Sequence, residues 1–254
     1  MNMRTLILIP ARLGATRLPN KPLADIGGIP MISRVCALAT ASGAGRVAVA
    51  AADSEIADCV RSAGYEAVLT DPALPSGSDR VHAAANLIDS EGAYDQIVNL
   101  QGDMPTLAPK ALGDVLEVLQ SAPDCDIATL AAEITDACEL SDPNVVKAVL
   151  ARKAEAKTAR ALYFSRASVP HGDAPKFHHI GVYAYKRAAL DRFVTSKPSP
   201  LEQSERLEQL RALELGLRID CAILDGSPPN GVDTAEDLEA ARRHFANPLP
   251  ENDT

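Results

Sequence analysis

Read from its amino terminus, the chain alternates short apolar runs with amphipathic stretches. Thr5–Pro10 (TLILIP) is continuously apolar and closes on proline, the pattern of a central strand covered on both faces. Residues 31–42 carry Ile32, Val35, Cys36, Leu38 and Ala39 at helical spacing. Residues 46–51 predict a second strand. Asp53 stands where it would cap a helix running to about Ala63, Gly64 would stop that helix, and 66–70 predict a third strand. Strand, helix, strand, helix, strand is the order of a parallel sheet with helices on both faces. It continues with a helix over 78–90, a strand over 96–101 and a helix over 110–120.

From Asp126 the pattern changes. Residues 127–134, 145–150, 162–165 and 180–185 are strand-like with little helix between them, which reads as an extension of the sheet carrying a small strand-rich insertion. Helix returns over 201–215, followed by a strand over 218–224 and a helix over 234–244. The polar, proline-bearing tail 247–254 is expected to be disordered. The expected fold is therefore α/β: a mostly parallel Rossmann-like sheet with helices on both faces, in a single domain over 1–246.

Composition narrows the function classes. A chain of 254 residues with 46% apolar side chains can bury a sizeable core. Its five cysteines (Cys36, Cys59, Cys125, Cys138, Cys221) lie far apart, so neither a disulfide framework nor a zinc site is suggested. No apolar run approaches the roughly 20 residues of a membrane-spanning helix, and MNMRTLILIP is too short for a signal peptide. A cytoplasmic protein with no membrane partner is expected. The formal charge of −9 argues against nucleic acid as a partner. One segment reverses the sign: residues 1–24 hold Arg4, Arg12, Arg17 and Lys21 and no acid. A small polyanion is the partner such a segment suits.

The candidate chemistry starts there. Between Pro10 and Pro22, three prolines stiffen a loop from which Arg12, Arg17 and Lys21 project at the carboxyl end of a strand, a suitable cradle for a triphosphate. The loop is neither GxGxxG nor GxxxxGK, so it is neither a dinucleotide fingerprint nor a P-loop. Gln101-Gly102-Asp103 sets a carboxylate just past a buried strand, where a hard oxygen ligand could hold Mg²⁺. Asp233 precedes Thr234 and Asp237, a plausible capping box, and on the residues alone it reads as part of a helix start. Ser76-Gly77-Ser78-Asp79-Arg80 is a tight small-residue turn that lets Arg80 approach a base or ribose. Strand alternation points His178 and His179 to opposite faces, so they do not share a metal.

Taken in order, PARLGATRLPNKPL (10–23), SGSDR (76–80), NLQGDMP (99–105), ALYFSRA (161–167), HHIGVYAY (178–185), LEQLRALE (207–214) and GVDTAEDLE (231–239) resemble the 3-deoxy-manno-octulosonate cytidylyltransferase family, over Pro10 to about Arg242. The resemblance implies transfer of CMP from CTP to 3-deoxy-manno-octulosonate (Kdo), with release of pyrophosphate, for lipopolysaccharide synthesis. It also implies Mg²⁺ and a homodimer, with residues of about 140–186 forming a sugar-site and dimerisation region. An analogue such as 8-amino-Kdo or a sialic acid is the alternative acceptor, and a glycosyltransferase would share the sheet and a metal carboxylate. By the resemblance, Pro10, Ala11, Arg12, Arg17, Lys21, Ser76, Gly77, Arg80 and Gln101 address the nucleotide. Asp103 and Asp233 match metal-binding aspartates, which sets a second reading of Asp233 beside the capping one. Arg166, His179, Tyr185, Glu208 and Gln209 match sugar-side positions, and Arg12, Lys21, Asp103 and Asp233 are the catalytic set. The chain departs from the family at Met104, where many relatives carry glutamate, and at Ser78-Asp79 in place of Thr-Glu.

Overall fold

The computed structural model describes residues 3–14, 18–153, 155–226, 228 and 231–246; the site candidate Arg17 and the tail 247–254 lie outside them. The strands are β1 (Thr5–Ala11), β2 (Asp25–Ile26), β3 (Ile29–Pro30), β4 (Arg46–Ala51), β5 (Ala67–Leu69), β6 (Gln96–Asn99), β7 (Ile127–Glu133), β8 (Lys147–Ala151), β9 (Thr158–Ser165), β10 (Phe177–Lys186) and β11 (Ile219–Leu224). The helices are α1 (Met31–Ala41), α2 (Ser54–Ser62), α3 (Gly77–Ile88), α4 (Lys110–Ser121), α5 (Ala137–Ser141), α6 (Arg187–Val194), α7 (Pro200–Glu205), α8 (Gln209–Glu214) and α9 (Ala235–Ala246). Two compact units emerge: a first of Leu6–Glu91, Leu100–Pro109 and Pro229–Thr254, and a second of Met1–Thr5, Gly92–Asn99 and Lys110–Pro228.

In the first unit the strand order is β5-β4-β1 and both pairings are parallel, as the sequence pattern predicts. Leu6, Ile7, Leu8 and Ile9 have no exposed surface, which accounts for the unbroken apolar run. Parallel strands all end on one side, so the loops leaving β1, β4 and β5 gather at a common carboxyl edge. A feature absent from the prediction is the hairpin β2–β3, whose turn places Gly27 at φ 60° and Gly28 at φ 80°, a conformation two glycines adopt without strain. Its Ile26 packs with Met31, Val232, Leu238 and Ala241, and with the half-buried Leu18 and Ala24. This small core fastens α9 to the loop that carries Lys21.

The second unit corrects the expectation of a mostly parallel sheet. Its order is β6-β10-β7-β11-β9-β8, and β8 also pairs with β10, so five strands close into a ring. β10 is antiparallel to β6, β7 and β8; β9 is antiparallel to β8 and β11; β11–β7 is parallel. One of these pairings follows from its connection: a parallel return needs a crossover of a dozen or more residues, and the six between β8 and β9 (152–157) permit only an antiparallel neighbour. The helix predicted over 201–215 is two helices, α7 and α8. Arg206 breaks it by adopting φ 55°, with Leu207 N donating to the Glu202 carbonyl. Helix α6 is an addition, formed around buried Ala189, Leu190 and Phe193.

Candidate active site

Two carboxylates and one ammonium form the chemical centre of the first unit. Lys21 Nζ donates to Asp103 Oδ2 at 2.7 Å and to Asp233 Oδ1 at 2.9 Å, from residues far apart in sequence. Backbone geometry builds this meeting. Asn20 takes a left-handed φ of 55° and opens a single 3₁₀ turn over Lys21–Leu23, closed by Leu23 N to the Asn20 carbonyl. The Asp103 carbonyl accepts from Val232 N at 2.8 Å, which pins Asp103 beside the residue preceding Asp233. Val232 is buried in the core that also contains Ile26 and Leu238. Burial pulls the Lys21 pKa down, but the two carboxylates, Asp103 above all, outweigh it and hold the ammonium above its usual value of 10.5.

The same geometry separates the two readings of Asp233. The capping box at the start of α9 is complete without its carboxylate: Asp237 N donates to Thr234 Oγ1 at 3.2 Å, and Thr234 N donates to Asp237 Oδ2 at 2.8 Å. Asp233 contributes only its N–H to that box, at 3.0 Å, while its half-exposed carboxylate turns to Lys21. Two carboxylates aimed at one cation are a donor set that fits a hard divalent ion. Among the described residues no group of three or more metal-ligating side chains forms, and Mg²⁺ is commonly held by one or two carboxylates plus water and phosphate oxygens.

Beside this centre lies a cleft of about 290 Å³, lined in part by Pro10, Ala11, Arg12, Ser76, Gly77 and Arg80, and reaching Gln101, Gly102 and Asp103. Of the nine candidates for the nucleotide, eight therefore share one cavity, Lys21 being the eighth. Gly102 lies there because a Cβ at that position would stand 3.1 Å from the Pro10 carbonyl oxygen. Gly77 faces the Pro10 ring and the Gln101 side chain. Ser76 caps α3 by accepting from Asp79 N at 3.1 Å, and so sets Arg80 in the first turn.

Arg80 is 2% exposed. Its Nη1 donates to Thr70 Oγ1 at 2.7 Å and to the Asp71 carbonyl at 3.1 Å, whereas its buried Nη2 has no acceptor among the described residues. Burial lowers its pKa, and the nearby Arg12 guanidinium lowers it further. A buried donor without an acceptor costs roughly 1–3 kcal/mol. The like charge of Arg12 adds to that cost and the carboxylates of Asp53 and Asp71 offset part of it; an anion entering the cleft would supply the missing acceptor.

The sequence did not indicate Asp53. It occupies the cap position of α2 as expected, yet its side chain makes no capping bond. Its Oδ2 accepts instead from Leu13 N at 2.9 Å, and Ala52 N donates to the Ala11 carbonyl, so the loop after β4 holds the loop after β1. Nothing in a local window could show this, because the acceptor lies 40 residues from its donor.

The five sugar-side candidates all fall in the second unit. His179 and Tyr185 belong to a row of rings on β10, His179 to Tyr183 at 5.5 Å and Tyr183 to Tyr185 at 5.9 Å, which Tyr185 extends to Phe193. His179 is buried, with Nε2 3.0 Å from Thr129 Oγ1, and burial pushes its pKa down to about 3, so the ring is neutral. Tyr183, which the sequence did not single out, is half-buried, and burial together with Tyr185 and the Glu208 charge raises its hydroxyl pKa. Gln209 is buried at the start of α8, and Glu208 lies 3.6 Å from Arg211. Arg166 donates from Nε to the Glu205 carbonyl, from Nη1 to the Pro143 carbonyl and from Nη2 to the Arg206 carbonyl. A guanidinium has five N–H donors, so two remain beyond these three bonds to described residues.

Comparison with known proteins matches residues 6–219 to the cytidylyltransferase family model. A 3-deoxy-manno-octulosonate cytidylyltransferase of Nitrobacter hamburgensis is 57% identical over 97% of this chain and 95% of its own length. One of Rhodopseudomonas palustris is 56% identical over 96% of this chain and 98% of its own. Among solved structures, a CMP:2-keto-3-deoxy-manno-octonic acid synthetase complexed with CTP superposes with a TM-score of 0.87 at 35% identity, over 97% of this chain and all of that one. A cytidylyltransferase of Leptospira borgpetersenii shares the fold, with a TM-score of 0.63 at 16% identity. With a parallel strand edge, a cationic cleft and paired aspartates in place, the chain belongs to the cytidylyltransferase family, among the 3-deoxy-manno-octulosonate cytidylyltransferases.

Proposed function

We propose that the enzyme transfers CMP from CTP to the anomeric hydroxyl of Kdo and releases pyrophosphate, with the triphosphate in the cleft beside Lys21, Asp103 and Asp233. The observation that carries the assignment of the cleft is the convergence of Arg12, Arg80 and Lys21 on one cavity, with a buried Arg80 donor that has no acceptor among the described residues. Three cations on one small cavity raise the local concentration of a polyanion, and such a ligand would supply the acceptor that Arg80 lacks.

The reaction is an in-line displacement at the α-phosphorus, which needs positioned charge more than a covalent intermediate. Arg12 and Lys21 stabilise charge that grows on the phosphate oxygens, and a preorganised donor of this kind is worth about 10²–10³ in rate. Arg80 and Ser76, fixed at the start of α3, address the nucleoside. Asp103 and Asp233 would hold Mg²⁺, which when bound neutralises phosphate charge and acidifies a coordinated hydroxyl. Lys21 holds the two carboxylates in position. On the sugar side, the two remaining donors of Arg166 suit a carboxylate, which a planar guanidinium grips bidentately. The neutral His179, in the row with Tyr185, supports the sugar face through hydrogen bonding and packing, not charge, with Glu208 and Gln209 toward its hydroxyls.

Among the described residues no helix is long and apolar enough to cross a membrane, which supports a cytoplasmic enzyme acting on soluble substrates. The strand-rich region of about 140–186 is the proposed dimerisation surface of a homodimer. The functional test is pyrophosphate release with each nucleoside triphosphate against Kdo, 8-amino-Kdo and a sialic acid. Release with CTP and Kdo is expected. Turnover with another acid alone would reassign the acceptor, and none with any acid would refute the reading.

A further inference from the structure

Lys147, the first residue of β8, has no exposed surface and is among the largest side chains so enclosed in the described residues. Its Nζ donates to three backbone carbonyls, those of Asp142 at 2.8 Å, Val145 at 2.7 Å and Arg166 at 3.0 Å. An ammonium has three protons, so every one is used. Burial lowers the pKa of this lysine and the Asp142 carboxylate draws it back, while the positive charge of Arg166 opposes it. An unbranched apolar side chain could fill the same volume without desolvating a charge. What the ammonium adds is a junction between two segments: the turn 142–145 and the end of β9.

Arg166 lies at that junction. Its carbonyl is held by Lys147 and its N–H by Glu205 Oε2 at 3.0 Å, while its Nη1 reaches the Pro143 carbonyl at 2.8 Å, inside the turn that Lys147 also grips. Lys147 therefore fixes the Arg166 backbone directly and the acceptor of its guanidinium indirectly. We infer that Lys147 is a positioning residue for recognition of the acidic sugar: it holds Arg166 so that its two remaining donors face the substrate carboxylate. This rests on the reading of Arg166 as the partner of that carboxylate. Lys147 itself, wholly enclosed by protein, touches no substrate.

The test is steady-state kinetics on the full-length enzyme carrying Lys147→Met, Arg166→Ala, or both. Lys147→Met is expected to raise the Kdo KM at least tenfold and to leave the CTP KM within twofold. Because both changes act on one contact, adding Lys147→Met to Arg166→Ala should raise the Kdo KM no further. A folded Lys147→Met enzyme with wild-type Kdo KM, a parallel rise in both KM values, or full additivity in the double variant would each overturn the inference. Where Lys147→Met does not fold, Lys147→Gln, which keeps donors for part of the junction, is read in the same way. Failure of both to fold would assign Lys147 to the fold as a whole and would likewise overturn it. Arg166→Ala with an unchanged Kdo KM would instead refute the underlying role of Arg166.

Discussion

Replacing Asp233 and its neighbour Thr234 one at a time separates catalysis from helix capping at adjacent positions. In Thr234→Ala, Asp237 N loses its acceptor at the start of α9 while Asp233, Lys21 and Asp103 keep theirs. Loss of such a cap costs about 1 kcal/mol, which in a chain of this size lowers Tm by about 2–4 °C. Asp233→Ala removes a half-exposed carboxylate whose bond to Lys21 is backed by a second, shorter one from Asp103. A solvent-exposed pair is worth less than about 1 kcal/mol, so the melting temperature should barely move. Activity should show the opposite order. Thr234→Ala should keep kcat within about twofold, whereas Asp233→Ala should lose about 10²–10³, the usual effect of removing a preorganised charge from a transition state. Thermal melts and pyrophosphate release on the same preparations decide the matter. An Asp233→Ala enzyme that melts early and turns over normally would refute the assignment and return Asp233 to the helix cap.

Three further outcomes follow from the same geometry. Gly102→Ala forces a Cβ to within 3.1 Å of the Pro10 carbonyl, so denaturant melts should show a loss of about 1–3 kcal/mol and CTP titrations a weakened site. Asp53→Ala frees the Leu13 N–H from its 2.9 Å bond; the expected result is a CTP KM raised about tenfold with the Kdo KM unchanged, since a cleft loop is loosened at a cost of about 1 kcal/mol. For pH, the raised Lys21 pKa means that the folded state holds this proton more tightly than the unfolded chain does. The associated stability is present below 10.5 and lost as pH rises through the higher folded value, so wild-type and Lys21→Met melting curves should converge at alkaline pH.

The sequence pattern reveals elements whose partners are local and misses those fixed from a distance. The run TLILIP identifies β1 because burial on both faces demands an unbroken apolar stretch. The helices α1 to α4 follow from periodicity in the same way. The turn at Arg206 was not legible, because an arginine at positive φ carries no composition signal and is held there by contacts between α7 and its flanking chain. The antiparallel course of β10 is set by pairing with β6 and β7, strands distant in the chain, which strand propensity does not encode. At the site, a charge reversal made Arg12 and Lys21 conspicuous, while Asp233 has two readings in the sequence, and its carboxylate, which the Thr234–Asp237 box does not use, meets Lys21 only through the fold. Asp53 and Lys147 act through backbone groups far along the chain or wholly enclosed, and their residue types announce neither role.

On the proposed function, Asp103 and Asp233 bind the divalent ion that accompanies CTP. The most direct measurement is anomalous diffraction from crystals of the enzyme grown with CTP and Mn²⁺ as a scattering stand-in for Mg²⁺. One strong anomalous peak is expected in contact with both the Asp103 and Asp233 carboxylates and with a phosphate oxygen, with the triphosphate against Arg12 and Lys21. Mn²⁺ on the phosphates with neither aspartate within coordinating distance, or CTP outside the cleft of Pro10, Gly77 and Arg80, would contradict it.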